Sequence, residues 1–141
     1  MDETATALNS GAIRLLRAVR RVDRETGLPP AQLSALSVLV FGGPCSLGSL
    51  AAEEEVAGPT MTRIVDGLVG RGLATREPGE DRRSVRVVAT DAGRTVMEHG
   101  RRRRVEVLTE ALAALPAADR RRLAAAAPLL LTLAREVRRR S

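Results

Sequence analysis

Aromatic side chains are nearly missing: the 141 residues include one Phe and no Tyr or Trp. Many RNA and single-strand binders lay bases on aromatic rings, so a partner held by stacking is disfavoured and a duplex read by helices is favoured. Lysine is missing altogether. All 23 basic residues are Arg, against 17 acidic ones, for a formal charge of +6. The planar guanidinium suits phosphate oxygens and guanine edges, which fits a polyanionic partner, although an Arg-for-Lys bias in the coding sequence would leave the same composition. The single cysteine, Cys45, cannot close an internal disulfide and fits a reducing compartment. The single histidine, His99, cannot supply the three or four ligands of a metal site, and no metal or other cofactor is expected. The longest apolar run, residues 124–131, is broken by Pro128 and is far shorter than the roughly 20 residues of a membrane span. Asp2 and Glu3 stand where a secretory signal would be basic and then apolar. The expectation is a cytoplasmic chain with no membrane partner. No nucleophile–base pair, convergent carboxylates or phosphate loop marks an enzyme; Glu53, Glu54 and Glu55 are consecutive, and consecutive helical residues diverge.

What is present is mostly helical pattern. Leu8, Ala12, Leu15, Leu16, Val19 and Val22 recur at helical spacing between arginines, predicting a first helix that ends near Gly27. Pro29 and Pro30 break the chain, and residues 32–40 read as a second helix. Residues 46–54 form a short third helix capped by Ser46. Met61, Ile64, Val65, Leu68 and Val69 give the strongest helical signal, over residues 59–71, with Pro59, Thr62, Arg63, Asp66 and Gly70 on the opposite face. Two strands follow, residues 73–77 and 84–89, joined by the turn-forming Pro78, Gly79, Glu80 and Asp81. In the second strand Val85, Val87 and Ala89 share the inward face, and Arg86 projects outward. Two long helices close the chain, the last with Leu123, Ala127, Leu130, Ala134 and Val137 at coiled-coil-like spacing and a kink expected at Pro128.

A short helix, a tight turn, a longer helix with an exposed polar face and a hairpin with a basic tip make a winged helix-turn-helix: mainly α, six helices, one small β-hairpin wing. The major groove of duplex DNA admits one helix, so Pro59, Thr60, Thr62 and Arg63 can approach base edges. Asp81, Arg82, Arg83 and Arg86 belong to the wing. Asp81 can hold one arginine of the tip by a bidentate pair and leave the other free for a minor groove. The apolar faces carried by Leu8, Leu15, Leu16 and Val19 and by Leu123, Leu130, Ala134 and Val137 exceed what one small lobe can cover, predicting a homodimer and a pseudo-palindromic operator. The four arginines 101–104 span one helical turn and read as solvated surface.

In order and spacing, Leu50 and Ala51 through Val56, Pro59-Thr60-Met61-Thr62-Arg63-Ile64-Val65-Asp66, Gly72-Leu73, Asp81-Arg82-Arg83 and Thr90-Asp91-Ala92-Gly93 resemble the MarR family of transcriptional regulators. The resemblance implies one domain over residues 1–141, with dimerisation helices from both termini (1–27 and 105–141) around a DNA-binding lobe (28–104). It also implies repression relieved by a small-molecule effector. Ala57 stands where the family commonly has a capping Ser, and Gly58 is expected to take the cap in its place; Ala89 replaces a bulkier residue. Two other readings fit the same residues: a winged helix used only for protein contacts, and a redox-sensing regulator acting through Cys45.

Overall fold

A computed structural model describes residues 1–81 and 83–141. In chain order it holds α1 (Glu3–Asp23) with a 3-10 turn (Arg24–Thr26), α2 (Pro30–Gly42), β1 (Cys45–Ser46), α3 (Leu47–Glu53), α4 (Gly58–Gly70), β2 (Ala74–Pro78), β3 (Val85–Ala89), α5 (Asp91–Ala113) and α6 (Ala117–Arg140). This is the six-helix, winged architecture expected. The chain divides into two compact units, Met1–Arg103 and Arg104–Ser141.

The first unit owes its shape to one apolar cluster. Leu36 of α2, Leu50 of α3, Met61, Val65 and Leu68 of α4, and Val87 of β3 are fully buried, with Ala35, Leu39, Leu73, Ala74 and Met97 around them. The helical spacing read in α4 is therefore its packing face. At the crossing of α2 and α4, a Cβ on Gly67 would lie 2.1 Å from the Gln32 side-chain nitrogen, so the amide of Gln32 rests directly on the bare backbone of the helix. Ser46 caps α3 as expected, its hydroxyl accepting the Ser49 N–H at 3.0 Å. The turn from α3 to α4 is closed by Val56 N–H on the Ala51 carbonyl at 3.0 Å and places Glu55 at φ 55°, a left-handed conformation that usually falls to glycine. Ser34 of α2 donates to the Glu54 carboxylate at 2.7 Å and ties that turn down.

Several boundaries differ from expectation for local reasons. Helix α2 starts at Pro30 rather than at residue 32, because Pro29 is extended at the cap position and Pro30 carries the φ of a first helical residue. Ala57, not Gly58, is the N-cap of α4, extended at φ −67°, ψ 151° and without a side-chain cap. Gly58 becomes the first helical residue. The clash that keeps a pre-proline residue out of helical conformation involves Cβ, which glycine lacks. The hairpin also gains a strand: β1 pairs antiparallel with β3, Cys45 opposite Val87 and Ser46 opposite Arg86, in the order β1-β3-β2. Val85, expected inward, is exposed, because it pairs with Pro78 at the outer end of the ladder. In the second unit, α6 runs continuously through Pro128. Thr132 donates its hydroxyl to the Pro128 carbonyl at 3.2 Å.

Candidate nucleic-acid interface

Burial of one side of α4 dictates what the other side presents. Pro59, Thr60, Thr62, Arg63, Asp66 and Gly70 are all exposed. Thr62 donates its hydroxyl to the Gly58 carbonyl at 3.1 Å, which commits its proton to the helix and leaves its methyl and an acceptor lone pair outward. Arg63 has no side-chain partner among the described residues. Asp66 is ion-paired with Arg76 of β2. Helical spacing places Asp66 on this face, but Arg76 is not among the residues expected there. The available signal was strand alternation, which puts Arg76 on the same side as the buried Ala74 and so toward the helix.

At the wing, Gly79 donates to the Ser84 carbonyl at 2.9 Å and Ser84 to the Asp81 carbonyl at 2.9 Å. A Cβ on Gly79 would meet the Ser84 hydroxyl at 2.1 Å, so a side chain there would push that hydroxyl out of its place in the turn. The Ser84 hydroxyl also donates to the Asp81 carbonyl at 2.8 Å. The Asp81 carboxylate accepts the backbone N–H of Arg83 at 3.5 Å. Asp81 thus shapes the turn through the backbone, and the Arg83 side chain is exposed, as the arginine left free for a groove should be; the carboxylate–guanidinium pair expected of the other tip arginine falls on Arg82. Arg82 lies outside the described residues. Arg86 does project outward, but toward its cross-strand partner Glu77 at 3.6 Å.

Of the residues expected at a dimer interface, Leu8, Leu15 and Leu16 in the first unit are exposed and Val19 is half-buried. In the second unit Leu123, Leu130, Ala134 and Val137 are exposed. Within the arginine run, Arg103 is half-buried and paired with Glu25 at 3.2 Å. Cys45 is half-buried, and burial, followed by the nearby Glu53 carboxylate, pushes its thiol above the ordinary value. That is opposite to the depressed pKa of a reactive thiolate. Among the described residues no group of three His, Cys, Asp or Glu could hold a metal ion, and no helix is long and apolar enough to cross a membrane.

A short helix, a turn, a helix with an outward polar row and a three-stranded wing define a winged helix-turn-helix of the DNA-binding class. The sequence model of the MarR family matches residues 26–84. An HTH-type transcriptional regulator of Mycobacterium tuberculosis is 36% identical over 94% of this chain and 93% of its own length. The protein belongs to the MarR family of transcriptional regulators. Among solved structures, the transcriptional regulator Tm0710 of Thermotoga maritima is similar at a TM-score of 0.81 and 27% identity, covering 94% of each chain. MepR of Staphylococcus aureus, solved bound to an oligodeoxyribonucleotide, shares the fold at a TM-score of 0.71 and 14% identity, over 94% of this chain and 98% of its own.

Proposed function

We propose that this protein is a homodimeric repressor whose α4 enters the major groove of a pseudo-palindromic operator and whose wing addresses the flanking minor groove. The observation that carries the reading is the outward row of α4, with Thr60, Thr62 and an Arg63 that has no partner among the described residues standing on a helix whose other face is locked into the core. A guanidinium held on a rigid helix is suited to a bidentate grip on guanine, and the Thr62 methyl to a thymine methyl. Pro59 and Thr60 open the helix where its positive dipole end favours phosphate. Arg83, exposed at the hairpin tip, and Arg82 beside it in sequence, suit the negative potential of a narrow A·T-rich groove. Asp81 contributes by holding the turn, and Arg86 joins in only by exchanging Glu77 for a phosphate. Two-fold symmetry of the dimer would place half-site centres about 10 base pairs apart. Release by a small-molecule effector is part of the same reading and rests on family membership; reciprocity requires that bound operator weaken the effector by the same factor.

The test is a mobility shift with salt titration, using a duplex selected by the chain from a random pool and an unselected duplex of equal length. Affinity should fall steeply with salt, as phosphate neutralisation demands. Arg63→Ala should cost about 1–3 kcal/mol per half-site on the selected duplex and much less on the unselected one. Equal losses on both would make Arg63 a phosphate clamp. A chain that selects no duplex would leave the winged helix as a module for protein contacts.

A further inference from the structure

The surface proposed to meet DNA contains a carboxylate. Asp66 is the only acid in α4, and at 3.6 residues per turn it falls between Thr62 and Arg63 on the outward side. Its side chain is 59% exposed, against 31% for Arg76, its partner from β2. A bare carboxylate there would sit among phosphates, where like charges oppose binding. An ion pair this exposed contributes little to folding stability, so holding the fold is a weak explanation for it. Arg76 also differs from the outward arginines in its placement. It pairs in register with the fully buried Val87, and it shares the inward side of β2 with buried Ala74, so the strand delivers its guanidinium to the flank of the helix.

We propose that Arg76 is a positioning residue for DNA binding that acts through Asp66, cancelling the negative charge on the reading face so that Thr62 and Arg63 can approach the duplex. The proposal rests on α4 being the reading helix. It separates two roles that a single substitution would confuse, charge cancellation and direct contact of Arg76 with phosphate, because the pair and its doubly neutral replacement carry the same net charge.

The experiment measures affinity of the full chain for the fluorescein-labelled duplex that the parent protein selects from a random pool, across a salt series, with thermal midpoints recorded for each variant. Arg76→Gln leaves Asp66 uncompensated and is expected to weaken binding roughly tenfold at low salt, with the loss shrinking as salt screens the carboxylate. Asp66→Asn is expected to bind at least as tightly as the parent. Joining the two substitutions is expected to restore affinity to within about twofold of the parent, a non-additivity that marks coupled charges. Arg76→Lys, which keeps the charge, is expected to stay near the parent and supplies the comparison should Arg76→Gln fold poorly. A double variant as weak as Arg76→Gln would overturn the proposal in favour of direct contact by Arg76. Loss of binding in Asp66→Asn would overturn it in favour of a geometric tie, and an Arg76→Gln protein that binds like the parent would show that the carboxylate does not face DNA. A parent chain that selects no duplex removes the reading helix itself, and the proposal with it.

Discussion

Residues 35–97 bury thirteen hydrophobic side chains, whereas in the unit Arg104–Ser141 no described residue is buried. The contrast is not one of composition. Leu36 is 0% exposed, while Leu129 and Leu131, equally apolar, are 67% and 66% exposed. Helices α2, α3 and α4 lay their apolar faces on one another and on the sheet, so the middle of the chain satisfies itself. The segment 123–134 of α6 is apolar on nearly every side, a pattern that belongs to a helix buried in a complete assembly. Helix α1 shares the condition, with Ile13, Leu15 and Leu16 half exposed or close to it. One region is finished by its own sequence, and the terminal helices leave apolar side chains exposed, which the proposed second copy would cover.

The sharpest test of the finished region is Leu68→Ala. Removing a fully buried leucine should cost about 2–5 kcal/mol, seen as a lowering of the urea midpoint relative to the parent that is the same at every protein concentration. A concentration-dependent loss would erase the distinction between the regions. Leu130→Glu should do the reverse. It places a charge on the exposed face of α6, and sedimentation should show a shift from dimer toward monomer, with thermal stability that falls on dilution; a parent protein already monomeric at micromolar concentration would break the comparison outright. The smallest expected effect is a gain. Ala57→Ser supplies the hydroxyl that the start of α4 lacks and should stabilise by about 1 kcal/mol, independent of concentration.

Much of the fold was legible because its signals are periodic. Met61, Ile64, Val65, Leu68 and Val69 announce both a helix and its buried side, and the outward row with Thr62 and Arg63 follows by subtraction. Ser46 was legible as a cap because a hydroxyl at that position has one strong use. What escaped notice lacks a period. Strand β1 is two residues long and exists only because β3 offers it an edge. The cap at Ala57 depends on a negative property of Gly58, the missing Cβ before Pro59. The partnership of Asp66 with Arg76 joins residues ten apart that meet only once the chain has turned back at Gly72, so strand alternation aims Arg76 toward the helix but does not name its partner. Arg86 had the right orientation, but its Glu77 partner emerges only from the register of the hairpin.

Thr90 occupies the seam between the wing and α5. Its hydroxyl donates to the Gly72 carbonyl at 2.7 Å and accepts the Gly93 N–H at 3.1 Å, while its own N–H reaches the Leu73 carbonyl at 3.0 Å. Gly93 presses so closely on the same strand entrance that a Cβ there would lie 2.2 Å from the Leu73 carbonyl oxygen. Gly72 and Leu73 are also where α4 ends, their N–H groups closing onto the Val69 and Leu68 carbonyls at 2.9 Å each. The beginning of one helix is therefore clamped to the finish of another with no slack for a side chain to take up. Mechanically the joint is short: one threonine side chain and its own N–H tie the first turn of α5 to the last turn of α4.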